Sequence, residues 1–369
     1  MITSRVYEIV SRHRENPAQP CLLKDFTLGP DAGAVPEAIW DRPDWSLYCL
    51  DFAEEAAVFV QADGKLDLQA VPFVYQAQFE QAARVLVMPL DEFLQIGLRL
   101  PDPQHLTFLY STGRCGSTLA SRIFAELPGV ISLSEPEAIV SAAHQAADVT
   151  VDHWPYIRAA TRFLCRGHGR PDGSVFVIKP RPVSILYDRD FAEACPAARF
   201  AFLYRDCQAY VSSMFRFGQR LGLPWDTPGP VAKWRADWDQ MAGGAPVDEL
   251  DRFVDTGRDD IAWSEVGAAL WALNIRAYIQ LDPAERQLAA IHYDDLNADR
   301  ERGTAKLLAA CGLDPDQTQA GLRAFARDSH SGGKGANAIP SRGMGTQDVE
   351  RLNAVIAKFD FPDFAEARL

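Results

Sequence analysis

The stretch His105–Thr118, HLTFLYSTGRCGST, decides the fold of this chain. Its first seven residues, HLTFLYS, form the short apolar run that is typical of a buried strand. The residues from Ser117 onward, STLASRIFAEL, carry apolar side chains at helical spacing from Leu119 to Leu127. The segment between them, which contains two glycines, therefore links a buried strand directly to a helix.

The same alternation continues toward the C-terminus. Short apolar runs predict four further strands: VISLS (130–134), SVFVIK (174–179), ARFAFLYR (198–205) and QLAAIHY (287–293). Helical patterns cover CQAYVSSMFRFGQRL (207–221), SEVGAALWALNIRAYIQL (264–281), residues 299–312 and QDVERLNAVIAKF (347–359). Strands that alternate with helices predict an α/β fold in which a parallel β-sheet is flanked by helices. We assign this domain to residues 101–369.

The first hundred residues have a different pattern. WSLYCLDF (45–52) and AAVFVQ (56–61) are apolar and partly alternating, and QFEQAARVLVMPLDEFLQIGLRL (78–100) mixes helical and strand-like stretches. Residues 1–100 are therefore expected to form an N-terminal α+β extension of unassigned role, which ends at the junction PDPQ.

Composition excludes several classes of protein. The formal charge of −13 argues against broad binding to nucleic acids or anionic membranes, which require a basic face. Hydrophobic residues make up 47% and charged residues 24% of the chain, as in an ordinary globular enzyme. We find no bilayer-length apolar run and no signal-peptide pattern near the N-terminus, so we expect a cytoplasmic protein.

Cysteine and histidine usage points away from disulfides and metals. The seven cysteines are an odd number and lack CxxC spacing, which favours reduced, mostly buried thiols. The seven histidines are scattered and form neither HExxH nor a two-histidine cluster, so no metal site is expected.

The segment between the first strand and its helix has the chemistry of an anion site. Free N–H groups and the dipole at a helix N-terminus attract anions. Gly113 and Gly116 allow close approach of the backbone, Arg114 adds a cation, and Ser117 and Thr118 add hydroxyl donors. A structural turn with Ser117 or Thr118 as an N-cap is the alternative.

Two details of this segment limit its interpretation. The nucleoside-triphosphatase P-loop requires GxxxxGK[ST], whereas only two residues separate Gly113 from Gly116 and no lysine precedes Ser117. Cys115 lies where the pKa of a thiol can fall, but no base accompanies it in the sequence, so a packing role is favoured.

A second strand-to-helix junction repeats this logic about ninety residues later. Arg205 ends a predicted strand, and Ser213 lies in the next helix, eight positions on (213 − 205). An arginine at a strand end and a hydroxyl in the next helix can together bind a second phosphate group.

The two junctions resemble the phosphate-binding motifs of sulfotransferases that use 3′-phosphoadenosine-5′-phosphosulfate (PAPS). STGRCGSTL is similar to the family's 5′-phosphosulfate loop, and FLYRDCQAYVSSM is similar to its 3′-phosphate motif. IHYDDL, the helix ending in ACGL, and ARDSHSGG also resemble late segments of the family. The resemblance covers roughly residues 105–345. It implies a P-loop-like sulfotransferase fold with PAPS as co-substrate and no metal.

The resemblance also implies roles for individual residues. Arg114, Gly116, Ser117 and Thr118 would hold the 5′-phosphosulfate within the loop that also contains Thr112, Gly113 and Cys115. Arg205 and Ser213 would hold the 3′-phosphate. The chain lacks the family's late RKGxxGxW pattern, and Lys334 in SGGKGA would replace its cation.

Three residues are candidate catalytic groups. Arg114 is placed to stabilise charge on the leaving phosphate. Glu135 follows the second predicted strand, where ligands of open parallel sheets bind, and its SEP segment resembles a family segment that holds the base. Glu137 is the alternative base, and either glutamate also suits a role as a helix N-terminal charge. Lys179 ends another predicted strand, from which it can reach the sulfuryl oxygens or the acceptor. A plain surface lysine is the alternative.

Two other functions remain open from the sequence. A phosphotransferase that uses ATP and magnesium would share the first loop, although GK[ST] and a clear acidic strand end for magnesium are missing. A non-catalytic nucleotide-binding protein would keep the fold and lose the chemistry. The expected partner is a small-molecule acceptor with a hydroxyl or amine group, and the sequence does not define its identity or the oligomeric state.

Overall fold

The computed structural model of the protein describes residues 4–14, 19–33, 35, 38–64, 66–69, 71–144, 152–166, 174–220, 222–242, 247–281, 288–326 and 344–359.

The described chain contains ten strands, numbered here in chain order. They are β1 (Arg5–Arg12), β2 (Phe26–Gly33), β3 (Trp45–Asp51), β4 (Ala56–Ala62), β5 (Ala82–Pro89), β6 (His105–Ser111), β7 (Val130–Ser134), β8 (Val175–Lys179), β9 (Arg199–Tyr204) and β10 (Leu288–His292).

The α-helices of the described residues are numbered in the same way. They are α1 (Val74–Gln81), α2 (Leu90–Gly97), α3 (Ser117–Ala125), α4 (Glu137–His144), α5 (Trp154–Leu164), α6 (Asp188–Ala194), α7 (Cys207–Arg220), α8 (Val231–Ala242), α9 (Trp263–Gln280), α10 (Tyr293–Ala298), α11 (Arg300–Ala310), α12 (Thr318–Gly321) and α13 (Thr346–Ile356). Short 3₁₀ helices span Leu23–Asp25, Ile39–Asp41, Pro182–Tyr187, Val247–Arg252, Pro315–Gln317 and Leu322–Ala326.

The C-terminal part of the chain forms the expected parallel sheet. Its five strands have the order β10-β9-β6-β8-β7, and every pairing between neighbours is parallel. Because all five strands run in one direction, their carboxyl ends lie at a single edge. The predicted α/β class is confirmed, and β6 occupies the middle position.

Strand β6 is buried on both faces, as its continuous apolar sequence predicts. Phe108 and Tyr110 face the larger hydrophobic core, which includes α4, α5 and α9. Leu109 faces a second core formed mainly by α3 and α11. Helices therefore cover both faces of the sheet.

The N-terminal part forms a separate, antiparallel sheet. Its five strands have the order β2-β1-β5-β4-β3, and α1 and α2 flank β5 in sequence. The predicted α+β extension is confirmed as an architecture. The division of the chain into domains at residue 100 stays a prediction.

The two sheets share one hydrophobic core. Phe163 of α5 lies between them, with its ring centroid 5.3 Å from that of Phe59 in β4 and 4.9 Å from that of Phe93 in α2. The junction after residue 100 is also anchored on α5, because Asp102 accepts hydrogen bonds from Arg158 and Arg162 at 2.6 and 2.7 Å. The N-terminal sheet is thus packed against the parallel-sheet part.

The structure also bears on the expectations about cysteines and about membrane-spanning segments. All seven cysteines are free thiols, and six of them are buried. In the residues that the structure describes, every helix is too short or too polar to cross a bilayer.

Candidate functional site

The glycine-containing loop lies at the carboxyl edge of the parallel sheet, between β6 and α3. The Thr112 N–H donates to the Leu203 carbonyl at 3.1 Å, which extends the pairing of β6 with β9 by one residue. The backbone then bends sharply, with φ of +79° at Gly113, +51° at Arg114 and +78° at Gly116. Consecutive left-handed and right-handed residues in a loop of this kind form concave N–H surfaces that bind anions.

Gly116 is required by sterics as well as by its dihedral angle. A Cβ atom at this position would lie 2.5 Å from Cε2 and 2.6 Å from Cδ2 of Tyr293, the first residue of α10. Heavy atoms at that distance overlap, so an alanine here would displace the tyrosine or the loop. The loop and the end of β10 are therefore in close contact.

Cys115 is a packing residue within this loop. Its side chain is fully buried, and the thiol donates to the Leu203 carbonyl at 3.2 Å. Burial raises the pKa of Cys115, although hydrogen bonds from Thr112 and Ser111 and the nearby Lys179 oppose the rise. A protonated, enclosed thiol agrees with the packing role that we expected.

The first and second strand-to-helix junctions meet directly. The Arg114 Nε–H donates to Oγ of Ser213 in α7 at 3.1 Å. In the other direction, Nη1 of Arg205 lies 3.4 Å from the Arg114 carbonyl oxygen and donates to it. The two arginines, which are 91 residues apart in the sequence, thus belong to one site.

The Arg205 residue is held by two aromatic neighbours. Its guanidinium lies over the ring of Tyr293 at 4.6 Å from the centroid, and its carbonyl accepts a 2.7 Å hydrogen bond from the indole of Trp271. Its Nε atom is buried and has no hydrogen-bond partner among the described residues. Such a donor is costly unless a ligand or water satisfies it.

Four arginines give this corner a strong positive charge. Arg216 and Arg220 lie three and seven positions after Ser213 in α7, and the charges of both act on Arg114. The pKa of Arg114 is lowered, first by burial and then by the charges of Arg220, Arg216 and Arg205. Within the described residues, neither Arg114 nor Arg205 pairs with a carboxylate. Like charges gathered at one corner attract an anion, which makes this corner a candidate anion site.

Glu135 and Lys179 form an ion pair on the opposite side of the loop. They follow or end the neighbouring strands β7 and β8, and Nζ of Lys179 lies 2.5 Å from Oε1 of Glu135. Lys179 is only 1% exposed, and the Glu135 N–H also donates to the Lys179 carbonyl at 2.6 Å. The backbone of Glu135 is left-handed, with φ of +55°, which costs a non-glycine residue about 1–2 kcal/mol.

Glu137 has a different environment from Glu135. It is 1% exposed, and its Oε2 lies 2.8 Å from Nη2 of the buried Arg181. Burial raises the pKa of Glu137, and the charges of Arg181 and Arg14 oppose the rise. The carboxylate is enclosed by structural partners, whereas Glu135 is partly exposed at the sheet edge.

The structure brings most of the predicted site residues to one sheet edge. Thr112–Thr118 form the loop, Arg205 and Ser213 contact it, and Lys179 and Glu135 flank it on the β8 side. Lys334 lies outside the described residues. The roles of all these residues in binding and catalysis stay predictions.

Sequence reasoning missed several residues of this site. Arg216 and Arg220 lie within the quoted α7 segment, and their spacing of three and seven positions after Ser213 was a usable signal. Tyr293 was quoted as part of a motif, but its contact with Gly116 joins segments far apart in the chain. No local pattern identifies such a contact.

One cluster in the described residues bears on metal binding. Asp206, His292 and Asp294 follow or end β9 and β10, and one ligand atom of each lies within 4.8 Å of the others. Asp206 and Asp294 are exposed. The sequence suggested neither a metal site nor an acidic strand end. The absence of a metal stays a prediction.

Comparisons with known proteins give distant structural likenesses. No family model matches the sequence. No curated protein matches it either. Similar solved structures include a sulfotransferase from Mycobacterium tuberculosis (TM-score 0.42, 14% identity, 65% of this chain and 80% of that chain). A second is the sulfotransferase domain of a Synechococcus olefin synthase (TM-score 0.38, 16% identity, 72% of this chain and 98% of that chain). A third is a sulfotransferase from Alicyclobacillus acidocaldarius (TM-score 0.39, 14% identity, 69% of this chain and 96% of that chain). At these scores the likeness assigns neither family nor activity to this chain.

Proposed function

We propose that the protein is a sulfotransferase that moves a sulfuryl group from PAPS to a hydroxyl or amine of a small molecule. The observation that carries the proposal is the direct contact between the two strand-to-helix junctions, in which Arg114 hydrogen-bonds to Ser213 at 3.1 Å and to Arg205 at 3.4 Å. The sequence motifs at both junctions resemble those that hold the two ends of PAPS. The proposal includes a cytoplasmic location, which free thiols favour.

The residues present fit an adenosine carrying two anionic groups. The loop before α3 offers a bent, glycine-containing backbone at a helix N-terminus, which suits the 5′-phosphosulfate. Arg205, whose buried Nε has no partner within the described part of the chain, suits the 3′-phosphate together with Ser213. Arg216 and Arg220 add attraction for a polyanion in a chain whose overall charge is −13.

When bound, PAPS supplies the sulfuryl group, whose sulfur–oxygen bond to the 5′-phosphate breaks as a bond to the acceptor forms. Glu135 takes the proton that the acceptor hydroxyl or amine loses. Lys179 keeps Glu135 oriented and offers its charge to the sulfuryl oxygens. Arg114 stabilises the negative charge left on the phosphate. Each group lies at the carboxyl ends of adjacent strands, where such chemistry requires it.

The proposal is tested by calorimetry with adenosine 3′,5′-bisphosphate, the product that the donor leaves behind. The wild-type protein should bind one equivalent, and Arg114→Ala and Arg205→Ala should each weaken binding about tenfold or more, because a charge-assisted contact is lost. The carbonyl of residue 205 that accepts from Trp271 survives in the alanine variant. Arg189→Ala, an exposed change in α6, is the matched control.

A parallel titration with ATP and magnesium separates the proposal from a phosphotransferase. The titration with magnesium is informative because oxygen and nitrogen ligands for a metal ion lie near the site, on Asp206, His292 and Asp294. Tighter binding of magnesium-ATP than of adenosine 3′,5′-bisphosphate, accompanied by ATP turnover, would overturn the sulfotransferase proposal.

A further inference from the structure

The start of α1, in the N-terminal part of the chain, lies against the turn that carries Glu135. Ser134, the last residue of β7, donates its hydroxyl to the carbonyl of Pro72 at 2.7 Å. Ser134 is buried, and it immediately precedes Glu135. A hydrogen bond at this point restrains the backbone from which the glutamate extends.

The next residues of the same segment contact the cations that pair with the two glutamates. The ring centroid of Phe73 lies 5.9 Å from Nζ of Lys179, the ion-pair partner of Glu135. The ring of Tyr75 lies 4.7 Å from the guanidinium carbon of Arg181, the partner of Glu137. Aromatic faces attract such cations and hold them in place.

A second N-terminal segment reaches the same turn. The Cys21 N–H lies 3.4 Å from Oε1 of Glu137 and donates to it. Cys21 also accepts from Arg14 at 3.2 Å, and Arg14 pairs with Asp25 at 3.7 Å. This buried network ties the residue two positions after Glu135 to the N-terminal sheet.

N-terminal residues therefore hold Ser134 and Glu137 on either side of Glu135, whose own backbone is left-handed at φ +55°. Strained backbone of this kind persists where the surroundings over-determine it, and it concentrates at functional sites. We infer that Pro72–Tyr75 is a positioning segment, which holds Glu135 and Lys179 in the geometry needed for proton removal from the acceptor. The inference rests on the proposed function and assigns a role to the first hundred residues.

The inference is tested by Ser134→Ala with Ser132→Ala as the matched control. Both serines are buried and lie on the same face of β7, but the Ser132 hydroxyl has no hydrogen-bond partner among the described residues. We expect Ser134→Ala to lower kcat about ten- to a hundredfold, since small displacements of a catalytic group have effects on that order. Affinity for adenosine 3′,5′-bisphosphate should stay within about twofold of wild type. Ser132→Ala should leave both quantities unchanged.

A double-mutant cycle with Glu135→Gln distinguishes positioning from general damage. The acceptor is the best substrate from a panel of hydroxyl and amine compounds, assayed with radiolabelled PAPS. If Ser134 acts through Glu135, its replacement lowers kcat in the otherwise wild-type protein and has no further effect in the Glu135→Gln variant. Equal losses in both backgrounds, or no loss in either, overturn the inference.

Phe73→Leu provides an independent variant if Ser134→Ala does not fold. It keeps the apolar character at the start of α1 but removes the ring that faces Lys179. The same loss of kcat and the same non-additivity with Glu135→Gln are expected, and wild-type kcat overturns the inference. Failure of the wild-type protein to bind adenosine 3′,5′-bisphosphate would instead refute the proposed function, so the two failures are distinguishable.

Discussion

At the scale of single residues, Glu135 and Glu137 illustrate what a sequence can and cannot settle. The end of the predicted strand VISLS places both at the edge of the sheet, and the local pattern does not say which of the two is buried. The distinction comes from Lys179 and Arg181, which end or follow the adjacent strand and pair with one glutamate each. Partners of this kind depend on strand order, which the local sequence does not encode.

Replacement of Glu135 by glutamine tests its role as base. The change keeps the size of the side chain but removes the proton acceptor, so we expect kcat for sulfuryl transfer to fall by a factor of about 10² to 10⁴. Calorimetry should show affinity for adenosine 3′,5′-bisphosphate within about twofold of wild type. Glu193→Gln, an exposed change in α6, serves as the control. Undiminished turnover in Glu135→Gln would exclude Glu135 as the base.

At the scale of elements, the strand–loop–helix unit from β6 to α3 was predictable almost to the residue. A continuous apolar run, two glycines and a helical repeat all occur within twenty-one residues, 105–125. The N-terminal elements were predictable only as a mixture of strands and helices. In the N-terminal sheet, β1 pairs with β2 and also with β5, which is distant in the sequence. The sequence of neither strand indicates such a non-local pairing.

The glycine loop offers a prediction with an internal control. Gly116→Ala and Gly129→Ala both place a side chain at positive φ, +78° and +75°, and both should lose about 1 kcal/mol of stability for that reason. Only position 116 meets a neighbour, because a Cβ at Gly129 has no atom within 4 Å.

We therefore expect Gly116→Ala to weaken binding of adenosine 3′,5′-bisphosphate about tenfold or more, since the alanine displaces Tyr293 or the loop. Gly129→Ala should bind as wild type does. Calorimetry of both variants, with thermal melts to confirm folding, makes the comparison. Equal affinities would show that the close packing of Tyr293 on the loop has no part in binding.

At the scale of the whole molecule, the overall charge is negative while one corner of the parallel sheet is positive. The formal charge is −13, yet Arg114, Arg205, Arg216 and Arg220 gather at one corner of the sheet. In so acidic a chain an anion site has to come from basic residues that cluster locally, and the strand-to-helix junctions in the sequence predicted where that cluster lies. The shared core of the two sheets was not predictable, because the packing of Phe163 in α5 against Phe59 and Phe93 joins residues 104 (163 − 59) and 70 (163 − 93) positions apart.

Buried thiols should make the protein sensitive to alkaline pH. Burial raises the pKa of Cys195 and Cys311 to about 12, whereas thiols in the unfolded chain ionise near pH ~8.5. Because the folded-state pKa is the higher one, their contribution to stability is complete below about pH 8.5 and is lost as the pH rises toward 12. The loss is about 2 kcal/mol for each thiol at about pH 10.

Urea unfolding at about pH 8, 9 and 10 measures this effect. The free energy of unfolding should fall with pH in the wild-type protein, and the fall should be shallower when Cys195 and Cys311 are both replaced by alanine. Parallel slopes in the two proteins would show that these thiols do not titrate differently in the folded and unfolded states.

The central position of β6 separates the arginine side of the site from the side that carries Glu135 and Lys179. The strand lies between β9, which leads to Arg205, and β8, which leads to Lys179. A substitution on the β8 flank should therefore leave the arginines in place, provided the glycine loop is unchanged. Under the proposed function, substitutions beside β8 therefore act on proton removal from the acceptor, and substitutions beside β9 act on affinity for the donor.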